Sequence, residues 1–253
     1  MSQLSAHRGA VLHFLADPGI HGNAEAYEYH DDGVLVIDNG RVAALGPAEQ
    51  LLRQLPPGCA LTEHRHALIM PGFIDTHIHM PQTDMIAAGG SNLLDWLERY
   101  TFPAESRFDD ADHARAVADF FIAELLANGT TTAQVLGSVH AASVEAVFAA
   151  AEKLNLRLIA GKTLMDRHCP AAVRDTAASG ERDSRALIER WHGRGRLHYA
   201  ITPRFAPTST DEQLASAGRL AAEYPDVHVL SLIHISEPTR PLYISYAVFC
   251  LKK

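Results

Sequence analysis

From residue 70 onward, short β-prone runs alternate with amphipathic helical stretches, and this rhythm limits the fold of the 253-residue chain more than any other feature. Strands are expected over 73–79, 130–136, 156–162, 197–201 and 227–230, and helices over 109–128, 142–154 and 212–223, with 187–192 falling in another helix. The first helix is the best marked. Aspartates gather at its start, Val117, Phe120, Phe121 and Leu125 share one face, and Gly129 ends it. Alternation of this kind, with right-handed crossovers, builds a parallel sheet, either a barrel or a doubly wound sheet. No Gly-x-Gly-x-x-Gly follows any of the strands, which argues against a dinucleotide fold. The expectation is an α/β chain forming a partial (β/α)8 TIM barrel, with five of eight strands counted and three unaccounted for.

The first 69 residues read differently. Asn39-Gly40 sits between two β-prone runs and predicts a hairpin with a primed turn, since both residues tolerate positive φ. Pro56-Pro57-Gly58 then breaks the chain. Three segments are expected: part of a small N-terminal β-sandwich domain over 1–69, the N-terminal portion of a metal-dependent barrel over 70–229, and a tail over 230–253. A formal charge of −8 opposes attraction to nucleic acid or to an anionic membrane. No run approaches the ~18 apolar residues of a membrane helix, and no secretory signal is visible. The three cysteines, Cys59, Cys169 and Cys250, are odd in number and far apart, so a reducing, cytoplasmic setting is expected.

The sharpest chemical signal is His77-Ile78-His79. Strand side chains alternate faces, so both imidazoles project to one side, ~7 Å apart at Cα. At the C-terminal end of a barrel strand they would face the mouth, where two neutral imidazoles can share a divalent ion. The competing interpretation is a pair of half-buried structural histidines. Asp75 on the same face and Gln82 in the following loop favour the metal.

The segment from Met70 to His79 resembles the first-strand motif of the amidohydrolase superfamily, and Asn128-Gly129-Thr130-Thr131-Thr132 is similar to its second strand. More narrowly, the block from Leu93 to Glu105, together with Thr202-Pro203-Arg204-Phe205, resembles the guanine deaminases; the likeness covers roughly residues 8 to 229. It implies that His77 and His79 are two ligands of one catalytic Zn2+ per subunit, that Gln82 and Arg204 hydrogen-bond a purine (guanine), and that Phe205 packs against its ring. It further implies metal-assisted hydrolysis of guanine to xanthine and ammonia, with a glutamate as proton shuttle and further ligands from later strands, and a homodimer in the full-length enzyme. Two imidazoles leave zinc against iron open. Another amidohydrolase-type deaminase of a related heterocycle, or a non-catalytic barrel fragment, are the alternatives. Trp96 is read as a structural anchor of the loop over the mouth, and a carboxylated Lys162 bridging two metals is set aside.

Near the C-terminus, His234-Ile235-Ser236-Glu237 imitates the family's His-x-x-Glu, in which the glutamate is the catalytic proton shuttle. In the family the histidine directly follows the residue that closes the strand, here Ser231. His234 therefore comes two residues late, a displacement of ~7 Å that a zinc–nitrogen bond of ~2.1 Å does not tolerate. Glu237 is accordingly disfavoured. From about residue 230 the sequence resembles translated sequencing-adapter read-through, so the expectation is an N-terminal fragment, inactive as it stands.

Overall fold

In the computed structural model, which describes residues 4–20 and 22–231, Asn39 and Gly40 take φ of 50° and 75° and close the expected hairpin. The hairpin joins β2 (Tyr27–Asp38) to β3 (Arg41–Pro47), within a four-stranded sheet of order β3-β2-β1-β4, where β1 is Leu4–Phe14 and β4 is Ala60–Ile69. Ala6, Val34, Val36 and Ala48 form its buried core. This sheet lies in one of two compact units, Met1–Gly72; the other is Phe73–Lys253.

The second unit carries the parallel sheet. Its strands are β5 (Phe73–His79), β6 (Thr130–Leu136), β7 (Arg157–Gly161), β8 (Thr163–Leu164), β9 (Leu197–Pro203) and β10 (His228–Val229). The order β5-β6-β7-β9-β10 follows the chain without reversal, with β8 also pairing β9. A doubly wound sheet reverses its strand order at a switch point, whereas a barrel advances in one direction. The arrangement is therefore five consecutive staves of a (β/α)8 barrel. Among the described residues the sheet does not close: β5 and β10 are its outer strands.

Four long helices cover one face: α1 (Ala111–Ala127), α2 (Ala141–Lys153), α3 (Ala177–Trp191) and α4 (Asp211–Glu223). The Asp110 side chain accepts the backbone N–H groups of Asp112 and His113 at the start of α1, and Gly129, at φ 83°, follows its end. Val117, Phe121 and Leu125 of α1 pack with Val147 and Phe148 of α2 onto Ala133 and Val135 of β6. Ile78 joins this core, which by the period of two turns His77 and His79 to the opposite face.

One expectation needs correction. The run over 156–162 is not one strand. It splits at Lys162 into β7 and β8, both paired with β9. Gly161 permits this: a Cβ there would lie 1.8 Å from the Ala200 carbonyl oxygen, so only glycine allows β7 to approach β9 so closely. The stretch 187–191 lies in α3 as expected; that helix starts at Ala177, where Thr176 and Ser179 form a reciprocal cap in a polar stretch. No helix among the described residues is long and apolar enough to cross a membrane.

Candidate functional site

β5 ends in the two histidines, and its C-terminal end is shared by every parallel strand beside it. The Nε2 atoms of His77 and His79 lie 3.2 Å apart, with ring planes inclined at 62°. Two nitrogens on a tetrahedral zinc at ~2.05 Å would be separated by about 3.3 Å, so the pair already has the bite such an ion needs. Asp75 does not join them. Its Oδ1 accepts the His77 backbone N–H at 2.9 Å, which fixes the strand end where its register with β6 shifts. Burial, followed by the positive charges of Arg204 and His77, holds the His79 imidazole well below its ordinary pKa. His79 is thus neutral at pH 7, the form in which imidazole binds metal. Its Nδ1 is sealed from solvent without a hydrogen-bond partner among the described residues. The donor set fits a borderline-soft divalent ion.

A cavity of about 580 Å³ runs along β5, lined by His77, His79, Gln82 and Trp96 and, from the side that α1 covers, by Ile78, Phe121, Leu125, Asn128 and Thr130. Trp96 donates its indole N–H to the Ala88 carbonyl at 3.0 Å and so pins the loop above. Gln82 lies in the short helical turn Met80–Met85, directly after β5.

Arg204 follows β9 by one residue and is almost wholly enclosed, its side chain 1% exposed. Its Nη1 donates to Glu105 Oε2 at 2.6 Å, and Glu105 is equally buried. The other carboxylate oxygen, Glu105 Oε1, accepts from Gln82 Nε2 at 3.4 Å. The Phe102 ring lies 5.6 Å from the guanidinium carbon, and Arg204 Nε has no hydrogen-bond partner among the described residues. Gln82 and Arg204, read separately from the sequence, thus meet through one carboxylate. Phe205 is only partly buried, and the cavity lining includes neither it nor Arg204.

Glu105 is the residue that sequence reasoning missed. It belongs to a helical segment, Leu93–Trp96, Leu97–Thr101 and Phe102–Ser106, whose middle turn is widened to a π-helix. Phe102 N–H bonds Leu97 O, five residues back. Pro103 comes next and has no N–H to continue the narrower pattern. Phe102 and Glu105, three apart, then share one buried face. An acidic residue among buried neighbours was the available signal. Lys162 is engaged elsewhere: its ammonium pairs with Asp175 in the interior. His234 and Glu237 lie outside the described residues, as does the tail from 232 onward.

Residues 68–239 match the model of the amidohydrolase family, and the chain belongs to that family. It is 52% identical over 206 residues to the guanine deaminase of Escherichia coli, a stretch that covers 81% of this chain and 47% of that one. The solved E. coli guanine deaminase superposes with a TM-score of 0.86 at 48% identity, covering 90% of this chain and 53% of that chain. A guanine deaminase from C. acetobutylicum, solved with guanine in its active site, gives a TM-score of 0.79 at 26% identity, with 90% and 52% covered. The chain spans about half the length of the curated relatives it matches.

Proposed function

We propose that this chain carries the N-terminal half of a guanine deaminase site, at which guanine reacts with water to give xanthine and ammonia. The observation that carries the proposal is the convergence of His77 and His79 at 3.2 Å beside a cavity that Gln82 also lines. His77 and His79 would hold one zinc ion. When bound, a zinc ion supplies the Lewis acidity that brings deprotonation of water close to neutral pH. Gln82 and Arg204 would bind the edge of the purine, and Phe205 would pack against its ring. A flat polar heterocycle calls for such amide and guanidinium groups. Water adds to the ring carbon bearing the exocyclic amine, the carbon–nitrogen bond breaks, and the amine leaves after gaining a proton. A cytoplasmic location and a homodimer of the full-length enzyme belong to the same proposal.

Among the described residues no group of three or more histidine, cysteine or carboxylate side chains converges on a metal position. We propose that the pair is part of a larger ligand set and that the 253-residue chain does not turn over by itself. Xanthine formation and zinc content would be measured on this chain and on the product of a gene resequenced and extended past Val229. Turnover by the extended protein alone is expected, with zinc lost on His77→Ala or His79→Ala. Robust turnover by the 253-residue chain would overturn the proposed inactivity, and an extended protein that binds zinc but ignores guanine would overturn the substrate.

A further inference from the structure

We propose that Glu105 is a positioning residue that fixes the hydrogen-bond polarity of the purine subsite through Arg204 and Gln82. The inference rests on the proposed purine site and adds a specificity determinant to it.

Glu105 uses its two carboxylate oxygens on two different groups: Oε2 on Arg204 Nη1 at 2.6 Å and Oε1 on Gln82 Nε2 at 3.4 Å. An ionised carboxylate only accepts hydrogen bonds. The Gln82 amide must therefore present its NH2 to Glu105, leaving its carbonyl oxygen at the opposite end as an acceptor. Without a neighbour of fixed polarity, a glutamine amide can turn over and exchange donor for acceptor. Arg204 is constrained in the same way. One nitrogen is held by Glu105 and the Phe102 ring lies beside the guanidinium plane, while Nε remains a buried donor with no partner among the described residues. A buried donor of this kind is costly while unsatisfied, and on the proposed purine site a ligand acceptor would answer it.

On the proposed purine site this would leave one donor from Arg204 and one acceptor from Gln82, both oriented by a single carboxylate. A ring carbonyl beside a ring N–H, the lactam edge of guanine, complements that order. Adenine carries an amine beside a bare ring nitrogen, which opposes donor to donor and acceptor to acceptor. Glu105 thus decides which purine edge the subsite accepts, without contacting the base. The Glu105–Arg204 pair also spans 99 residues, joining the loop after β5 to the end of β9, so the subsite assembles only when both staves are in place.

Glu105→Gln is close to isosteric and supports the test, with Glu105→Ala as the second variant. In the 253-residue chain without ligand, the Arg204 Nε–H resonance, assigned by its loss in Arg204→Lys, should be sharp and slowly exchanging. Both Glu105 variants should shift it and accelerate its exchange by at least tenfold. An unchanged resonance in both variants refutes the positioning role, whatever the purine result. In the extended enzyme, guanine and adenine binding would be measured by calorimetry. Glu105→Gln should narrow the guanine-to-adenine affinity ratio by tenfold or more. An equal loss for both bases, or a ratio that does not move, leaves only a structural role and overturns the inference. Should the wild-type extended protein bind neither base, the purine reading fails while the resonance still decides whether Glu105 orients Arg204.

Discussion

Asp175→Ala should be among the most damaging single substitutions in the barrel unit. The Asp175 carboxylate pairs with the Lys162 ammonium, their side chains being 8% and 1% exposed. Oδ1 also accepts from Gln213 Nε2 at 2.8 Å and from the Met165 backbone N–H at 3.3 Å. The substitution strands an ammonium that water does not reach and leaves two donors unanswered. Breaking such a pair costs about 3–5 kcal/mol, because the surviving charge keeps its desolvation penalty. With a urea slope of about 2 kcal/mol/M for a unit of this size, the midpoint should fall by about 2 M. Tryptophan fluorescence suits the assay, since Trp96 and Trp191 both lie in the barrel unit and Trp191 is buried. Lys162→Met should cost less, since Asp175 keeps Gln213 and Met165 as donors. The double variant Lys162→Met/Asp175→Leu, which removes both charges, should recover most of the loss. A midpoint shift below about 0.5 M for Asp175→Ala, or a double variant as unstable as that single, would refute the attribution to a stranded charge.

Two further outcomes follow from the same unit. Gly161→Ala places a methyl 1.8 Å from the Ala200 carbonyl and 2.3 Å from Thr202 Oγ1, so the β7–β9 pairing must open. A loss of about 2 kcal/mol or more is expected in urea titration, and a midpoint equal to wild type would mean that these strands separate freely. His198 is held below its ordinary pKa of 6.5 by burial first, then by the charges of Arg157, His192 and His228, with Asp226 opposing them. A depressed histidine gives stability that is present above the unfolded pKa and is lost as pH falls below about 6.5, because the unfolded chain takes up the proton more readily. The urea midpoint should therefore drop between pH 7.5 and 5.5, and His198→Gln should flatten that drop; identical pH profiles would remove His198 as a cause.

The parts of this molecule that were legible in advance are those whose physics is local. β5 and β6 fall at 73–79 and 130–136 as expected, because β-branched runs flanked by glycine or proline leave little alternative. The facing of His77 and His79 follows from a period of two, which no tertiary contact needs to supply. Where the reading failed or stopped short, a longer-range or polar effect decided. The start of α3 rests on a Thr176–Ser179 cap, in which serine replaces the glutamate or glutamine of the usual pattern, and the first ten residues of the helix are largely polar. The break in the third stave depends on how closely β9 approaches Gly161, a distance set by another segment of the chain. Glu105 shows the limit most clearly. Its own neighbourhood marks it as a helical acid, and nothing in the spacing connects it to Arg204, 99 residues later. Only when the end of β9 is brought against the loop after β5 does an otherwise costly buried carboxylate acquire a partner. The same closure brings Gln82 and Arg204 to one group. The selectivity of the subsite is thus a property of the assembled staves, while its two histidines are a property of one strand.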